Sequence, residues 1–312
     1  MTLSQKHVLS LQDMNAADIV HILEQATEMK EILFRPIKKV PTLRGKSVVT
    51  LFFENSTRTR MSFEMAAKTL SADVTGFSAA TSSVSKGESL KDTILTLEAM
   101  KADVFIIRHS ASGAAQFISN YTDAHVVNAG DGQHEHPTQG LLDLLTIQQH
   151  KGKIEGLNVA IVGDITHSRV ARSNIWGLTK LGAKVRLVGP ETLLPPEVRQ
   201  LPVEVYHDLK EGIRDCDVIN VLRIQLERQE AGLFPSLREY AQNFCINKTT
   251  LKEAKPDALV MHPGPMNRGV EISADAADGE YSVITEQVTN GVAVRMAVLT
   301  ILLGGGSNET AN

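Results

Sequence analysis

The stretch KSVVTLFFENSTRTRMSFEMAAKTL, residues 46–70, holds a strand, an abrupt polar turn and a helix in immediate succession. KSVVTLFF is β-branched and aromatic, the composition of a buried strand. In TRMSFEMAAKTL the apolar residues Met61, Met65 and Leu70 recur with helix-like spacing. Ser56, Thr57, Arg58, Thr59 and Arg60 therefore fall at a helix N-terminus, where free backbone N–H groups and a partial charge of roughly +0.5 attract an anion. The hydroxyls add donors, and the arginines add charge that persists at any working pH. A capped helix with solvated arginines accounts for Ser56 or Thr57 alone. Two arginines at the positive end of a helix are a conflict that a bound anion resolves.

The same alternation extends outward in both directions. ADVFIIR (102–108) and AHVVNAG (124–130) read as further strands, with helical spacing between, as at Ile94, Leu97 and Met100. A polar, Gly-bearing segment, QQHKGKIEGLN (148–158), reads as a linker. A second series then begins: LNVAIVGD, AKVRLVGP, VEVYHDL, CDVINVLR and DALVMHPG. Two strand–helix series predict an α/β protein with two doubly wound parallel sheets, residues 1–149 and 150–287, and a cleft between them at the carboxyl ends of the strands. The apolar segment VTNGVAVRMAVLTILLGG predicts a buried helix over about 288–306, with Val288, Val292, Met296 and Leu299 at helical spacing. It is expected to cross back to the first domain, against the helix marked by Ile19, Ile22, Leu23 and Ala26. The tail SNETAN is expected to fray.

A chain of 312 residues, 42% hydrophobic and 22% charged, can bury one large core or two medium ones, and it reads as a soluble globular protein. No apolar run is long enough to cross a membrane, and the start MTLSQKHVLSLQDMN has no basic region followed by an apolar one, so a cytoplasmic location is expected. A net charge of −4 without a basic tail speaks against nucleic-acid binding and requires any phosphate to be held locally. Cys216 and Cys245 lie in no disulfide or metal spacing. VGDITHS lacks the second and third glycines of a dinucleotide fingerprint. His134 and His136 have the i, i+2 spacing of a metal pair, but His207 and His262 do not complete one. His134 reads as a loop residue.

STRTR after Phe-Phe-Glu resembles the phosphate-binding motif of the aspartate/ornithine carbamoyltransferase family, and further motifs follow in that family's order. They are SSVSKGES (82–89), IIRHS with Arg108, HPTQGLLDL from His136, VGDITHSR ending at Arg169, LRIQLER with Arg223 and Gln225, and MHPGPMNRGVEI (261–272). Where the ornithine branch carries His-Cys-Leu-Pro and Ser-Met-Gly, this chain has His262-Pro263-Gly264-Pro265 and Arg223-Ile224-Gln225, which resembles the aspartate branch. The resemblance implies transfer of a carbamoyl group from carbamoyl phosphate to L-aspartate, the committed step of pyrimidine biosynthesis, with no cofactor and no metal.

By that resemblance Ser56, Thr57, Arg58, Ser82 and Arg108 hold the phosphate, and Thr59, Arg108 and His136 point at the carbonyl oxygen. Gln139 and the backbone around Pro263, Gly264 and Pro265 receive the carbamoyl NH₂, a group that requires acceptors. Gly264 stands where relatives carry a bulkier residue, which leaves its backbone as the contact. Arg169, Arg223 and Gln225 hold aspartate, whose two carboxylates suit arginine forks. Lys86 reaches both substrates from a neighbouring subunit, so a homotrimer with shared active sites and domain closure is implied. Arg58, Thr59, Lys86, Arg108 and His136 form the catalytic group. Arg60 reads as a brace, with Glu54 as its expected ion-pair partner. Two alternatives stay open: a transferase for another amine such as ornithine, and a non-catalytic ligand-binding homologue. The family also leaves room for regulatory or dihydroorotase-like partner subunits.

Overall fold

Helix α1 (Ala16–Ile32) starts where the Asn15 side chain accepts the Asp18 N–H at 2.8 Å, and it buries the expected stripe Ile19, Ile22, Leu23 and Ala26 together with Met29 and Ile32. Strand β1 (Ser47–Phe52) follows, then α2 (Thr57–Thr69) and β2 (Asp73–Ser78). Next come α3 (Leu90–Ala99), β3 (Val104–His109), α4 (Ala114–Ser119), β4 (His125–Asp131) and α5 (Pro137–Lys151). The four strands form a parallel sheet in the order β2-β1-β3-β4. Leu51, Phe105, Ile107 and Val126 fill its core, and burial of each such side chain is worth about 2 kcal/mol. The computed structural model describes residues 3–78, 87–224 and 236–304.

The second series builds β5 (Asn158–Val162), α6 (Arg169–Lys180), β6 (Lys184–Val188), β7 (Val203–Tyr206), α7 (Leu209–Ile213), β8 (Val218–Val221), α8 (Leu237–Phe244), β9 (Leu259–Met261) and α9 (Ala274–Ala277). Its five strands are again all parallel, in the order β7-β6-β5-β8-β9. Helix α10 (Ile284–Leu303) closes the described chain. By internal contacts the chain divides into two units, Met1–Leu145 with Thr289–Asn312, and Thr146–Val288. The last helix thus returns to the first unit, where Arg295 bonds Ser62 of α2 and Gly291 lies against Leu142 of α5.

Three local readings change. Met61 and Met65 do not form the buried face of α2, being 54% exposed, because that face runs through Thr59, Ser62, Phe63, Ala66, Ala67 and Leu70. Val288 is likewise exposed, whereas Val292, Met296 and Leu299 are buried. Strand β2, DVTGFS, went unmarked because it is an edge strand with polar and Gly positions and no continuous apolar run. Residues 148–151 of the expected linker are the last turn of α5, pinned where Lys151 donates to the Asp257 backbone and carboxylate at 2.6 and 2.7 Å. The tail SNETAN lies outside the described residues.

Candidate active site

In each sheet, chain order reverses between two adjacent strands, and ligands of doubly wound folds bind beyond the carboxyl ends of such a pair. In the first unit the pair is β1 and β3. Their register sets Phe52 beside Arg108, so Arg108 emerges next to the turn that opens α2. Ser56 is the N-cap residue, with extended backbone at φ −158°, ψ 91°, yet its side chain makes no capping hydrogen bond. The first turn of α2 also has no acidic residue. Ser56, Thr57, Arg58 and Thr59 therefore gather hydroxyls, a cation and the backbone N–H groups of a helix start on one helical turn. That set is suited to a dianion.

Arg108 connects this turn to its neighbours. Its Nε lies 3.2 Å from Glu54 Oε2, and its Nη1 lies 3.5 Å from Thr59 Oγ1 and 3.4 Å from the Ala129 carbonyl of β4. The Nη1 contacts are at the long limit of hydrogen bonding. Glu54 thus pairs with Arg108, and the expected Arg60–Glu54 pair does not form. Arg60 instead meets Glu64, one turn along α2, at 2.8 Å.

His136 and Gln139 open α5, beyond the exit of β4. His136 is 4% exposed, and its carbonyl accepts the N–H groups of Gln139 and Gly140. Gln139 donates its amide NH₂ to Asp143 Oδ1 at 3.0 Å. A carboxylate can only accept, so this bond engages the Gln139 NH₂ and leaves its oxygen as an acceptor. Asp131 anchors the preceding loop, accepting from Gly113 N at 2.7 Å, Asn128 Nδ2 at 2.8 Å and His134 Nδ1 at 3.1 Å. Burial opposes ionisation there, but the bonds from His134 and Asn128 outweigh it and hold the Asp131 carboxyl below the usual range. Glu135 accepts from Leu11 N and Gln12 N. His134 is therefore a loop residue bonded to Asp131. Among the described residues no cluster of three or more His, Cys, Asp or Glu could hold a metal ion.

In the second unit the reversal lies between β5 and β8, which run in register from Val159 beside Val218 to Val162 beside Val221. Gly163, at φ +128°, lets the two exits approach, since a Cβ there would stand 3.2 Å from Leu222 Cβ. Asp164 then accepts the backbone N–H of His167 at 3.1 Å and meets its Nδ1 at 2.9 Å. Ser168 caps α6 by accepting the Ala171 N–H at 3.1 Å. This turn sets Arg169 at the first position of α6, 5% exposed. Arg223 lies two residues past the end of β8, beside Ile224, whose carbonyl accepts from Asn267 Nδ2 at 3.1 Å.

A second loop of this unit carries His262 and Gly264. His262 Nδ1 accepts the Gly264 N–H at 2.8 Å, which leaves Nε2 to carry the proton and donate to Glu271 Oε1 at 3.2 Å. Both side chains are fully buried. Gly264 has φ +63° and is joined to Pro265 by a cis bond, a backbone conformation in which a Cβ is strained. Ser82, Lys86 and Gln225 lie outside the described residues. The sequence marks Glu54 with a different partner, and the roles of Asp143, His167 and Glu271 are visible only in the structure. Of these three, Asp143 alone has a signal in the sequence, its i, i+4 spacing from Gln139 on a helix.

Two parallel-sheet units, one with hydroxyls and arginines at a helix start beyond its switch point and the other with the buried Arg169 and half-buried Arg223, suit a group-transfer enzyme acting on anionic substrates. The chain belongs to the aspartate/ornithine carbamoyltransferase family: its carbamoyl-P binding domain matches residues 6–149 and its Asp/Orn binding domain residues 155–302. It is 60% identical over 309 residues to the aspartate carbamoyltransferase catalytic subunit of Halothermothrix orenii, covering 99% of each chain. It is 61% identical over 307 residues to that of Moorella thermoacetica, covering 98% of this chain and 100% of the relative. Among solved structures, aspartate transcarbamoylase of Trypanosoma cruzi bound to N-(phosphonacetyl)-L-aspartic acid matches with TM-score 0.89 at 32% identity, over 96% of this chain and 97% of that one. Ornithine carbamoyltransferase of Pyrococcus furiosus matches with TM-score 0.88 at 32% identity, over 98% and 99%.

Proposed function

We propose that this carbamoyltransferase uses L-aspartate as its acceptor, giving N-carbamoyl-L-aspartate and phosphate in pyrimidine biosynthesis. The observation that carries the reading is the pair Arg169 and Arg223 at the β5/β8 switch point, two cations suited to a dicarboxylate and unsuited to the ammonium of ornithine. The fold alone does not separate the two branches, since its TM-scores to an aspartate and an ornithine enzyme are 0.89 and 0.88. The names of relatives near 60% identity favour aspartate.

In this reading Ser56, Thr57, Arg58 and Arg108 bind the phosphate of carbamoyl phosphate, while Thr59, Arg108 and His136 donate to its carbonyl oxygen. As the aspartate nitrogen attacks the carbamoyl carbon, negative charge grows on that oxygen, and one preorganised donor there is worth about 10²- to 10³-fold in rate. The amide oxygen of Gln139 and the backbone of Gly264 and Pro265 hold the NH₂. The bond from carbon to the phosphate oxygen then breaks, and the leaving phosphate takes the amine proton. Lys86 and Ser82 reach the site from a neighbouring subunit of a cytoplasmic homotrimer. Lys86→Ala and His136→Ala chains, each inactive alone, regain partial activity when unfolded and reassembled together; mixed trimers without recovery would contradict shared sites.

Phosphate release from carbamoyl phosphate, measured with aspartate and with ornithine, tests the acceptor. Release with aspartate only is expected. Release with ornithine only would overturn the assignment.

A further inference from the structure

Helix α10 carries Arg295 into the interior of the first unit, where it is 4% exposed. Its Nη1 donates to Ser62 Oγ of α2 at 2.8 Å, and its guanidinium lies 4.9 Å from the centre of the Phe63 ring. Among the described residues its Nε has no hydrogen-bond partner and no carboxylate pairs with it. Burial alone pushes its pKa down, to about 10, so it stays charged at neutral pH. Gly291, one turn earlier on α10, makes the room: a Cβ there would stand 2.6 Å from Arg295 Nη1 and 3.1 Å from Leu142 Cδ2 of α5. The cation is thus folded back on its own helix, at a contact between α10 and the two helices whose N-termini bear Ser56–Thr59 and His136–Gln139.

A buried ion without a counter-ion is costly, and an apolar side chain of similar volume in its place is often neutral or stabilising. The cost is offset if an anion arrives within reach of the charge. Ser62 lies six residues beyond Ser56, about 9 Å along the helix axis, a distance over which a charge in the protein interior is only partly screened.

We propose that Arg295 is a positioning residue for the dianion seat, fixing α2 from behind through Ser62 and Phe63 and supplying a buried charge that is matched when the phosphate of carbamoyl phosphate binds. This role rests on the reading of the seat given above and adds to it a residue far along the chain.

Arg295→Met and Arg295→Lys in the full-length enzyme test it, with calorimetric titration of inorganic phosphate, thermal melting and both Michaelis constants as readouts. Without ligand, R295M melts at or above the wild-type midpoint. It binds phosphate roughly tenfold more weakly and raises KM for carbamoyl phosphate by a similar factor, with KM for aspartate changed less than about twofold. R295K, which keeps the charge, stays within about threefold of wild type for phosphate. An R295M enzyme that melts lower yet binds phosphate as wild type does would reduce Arg295 to a structural brace. An R295K enzyme as weak as R295M would overturn the role of charge. Arg295→Gln, uncharged and polar, takes the place of R295M if the latter does not fold, with the same two outcomes. A wild-type enzyme that binds phosphate but does not release it with aspartate contradicts the acceptor reading and leaves the Arg295 comparison readable; one that does not bind phosphate overturns both.

Discussion

The two switch points use the same topological device and finish it differently. At the exits of β1 and β3, Ser56 stands at the N-cap of α2 without capping it, in a first turn that holds arginines and no acid. At the exits of β5 and β8, Ser168 spends its hydroxyl on the Ala171 N–H, and the turn is held by Asp164 and His167. One end presents an uncapped helix start with hydroxyls and cations, which suits a phosphate dianion with many acceptor oxygens. The other satisfies its own helix and has the guanidinium groups of the buried Arg169 and half-buried Arg223 instead, which suits carboxylates. The difference teaches that ligand class is set by what the helix start leaves unsatisfied, more than by the sheet beneath it.

Substitutions can break or sharpen that contrast. Arg108 touches Glu54, the α2 turn and β4 at once, so Arg108→Ala is expected to lower kcat/KM by about 10³-fold or more, measured by steady-state phosphate release. Arg169→Met should raise KM for aspartate about 10²-fold and leave KM for carbamoyl phosphate nearly unchanged, because only one carboxylate contact is removed. Equal effects on both constants would erase the distinction between the two ends.

Within the first switch point, Arg58→Ala should weaken phosphate binding roughly tenfold or more, whereas Arg60→Ala should cost under about threefold, since an exposed i, i+4 pair with Glu64 contributes only a few tenths of a kcal/mol. The two serines sharpen the contrast further. Ser168→Ala loses a cap worth about 1 kcal/mol and should lower the melting midpoint by a few degrees without changing phosphate affinity. Ser56→Ala should do the reverse, weakening phosphate binding several-fold and leaving the midpoint nearly in place.

The smallest effect on kinetics lies away from both ends. Burial, then the charges of Lys6 and His125, pushes the His7 pKa down from 6.5 to about 4, and its Nδ1 accepts the Val126 N–H of β4 at 3.1 Å. Between those values the unfolded chain binds more protons than the folded one, so this contribution to stability is present above about pH 6.5 and is lost as pH falls through about 4. Denaturant melts of His7→Gln should show a flatter decline across that window, with kinetics at neutral pH unchanged.

The sequence by itself determined the two strand–helix series and every described strand but β2, and it marked Ser56–Thr59 and the arginines at 108, 169 and 223 as candidate binding residues. Those follow from local order: an apolar run, a polar break and a helix fit only a few chain paths, and residues just past a strand must lie at its carboxyl end. Tertiary structure alone decided which groups meet. Glu54 turns to Arg108 because β1 and β3 pair in a register that sets Phe52 beside Arg108, which no spacing within residues 46–70 could reveal. The tautomer of His262 depends on Glu271, nine residues away across a loop, and Met61 and Met65 face outward because Phe63, Ala66 and Leu70 claim the buried side. Arg295 meets Ser62 across 233 positions of chain. Local patterns fix where a side chain starts, but a partner distant in sequence is chosen only when packing closes the loop between them.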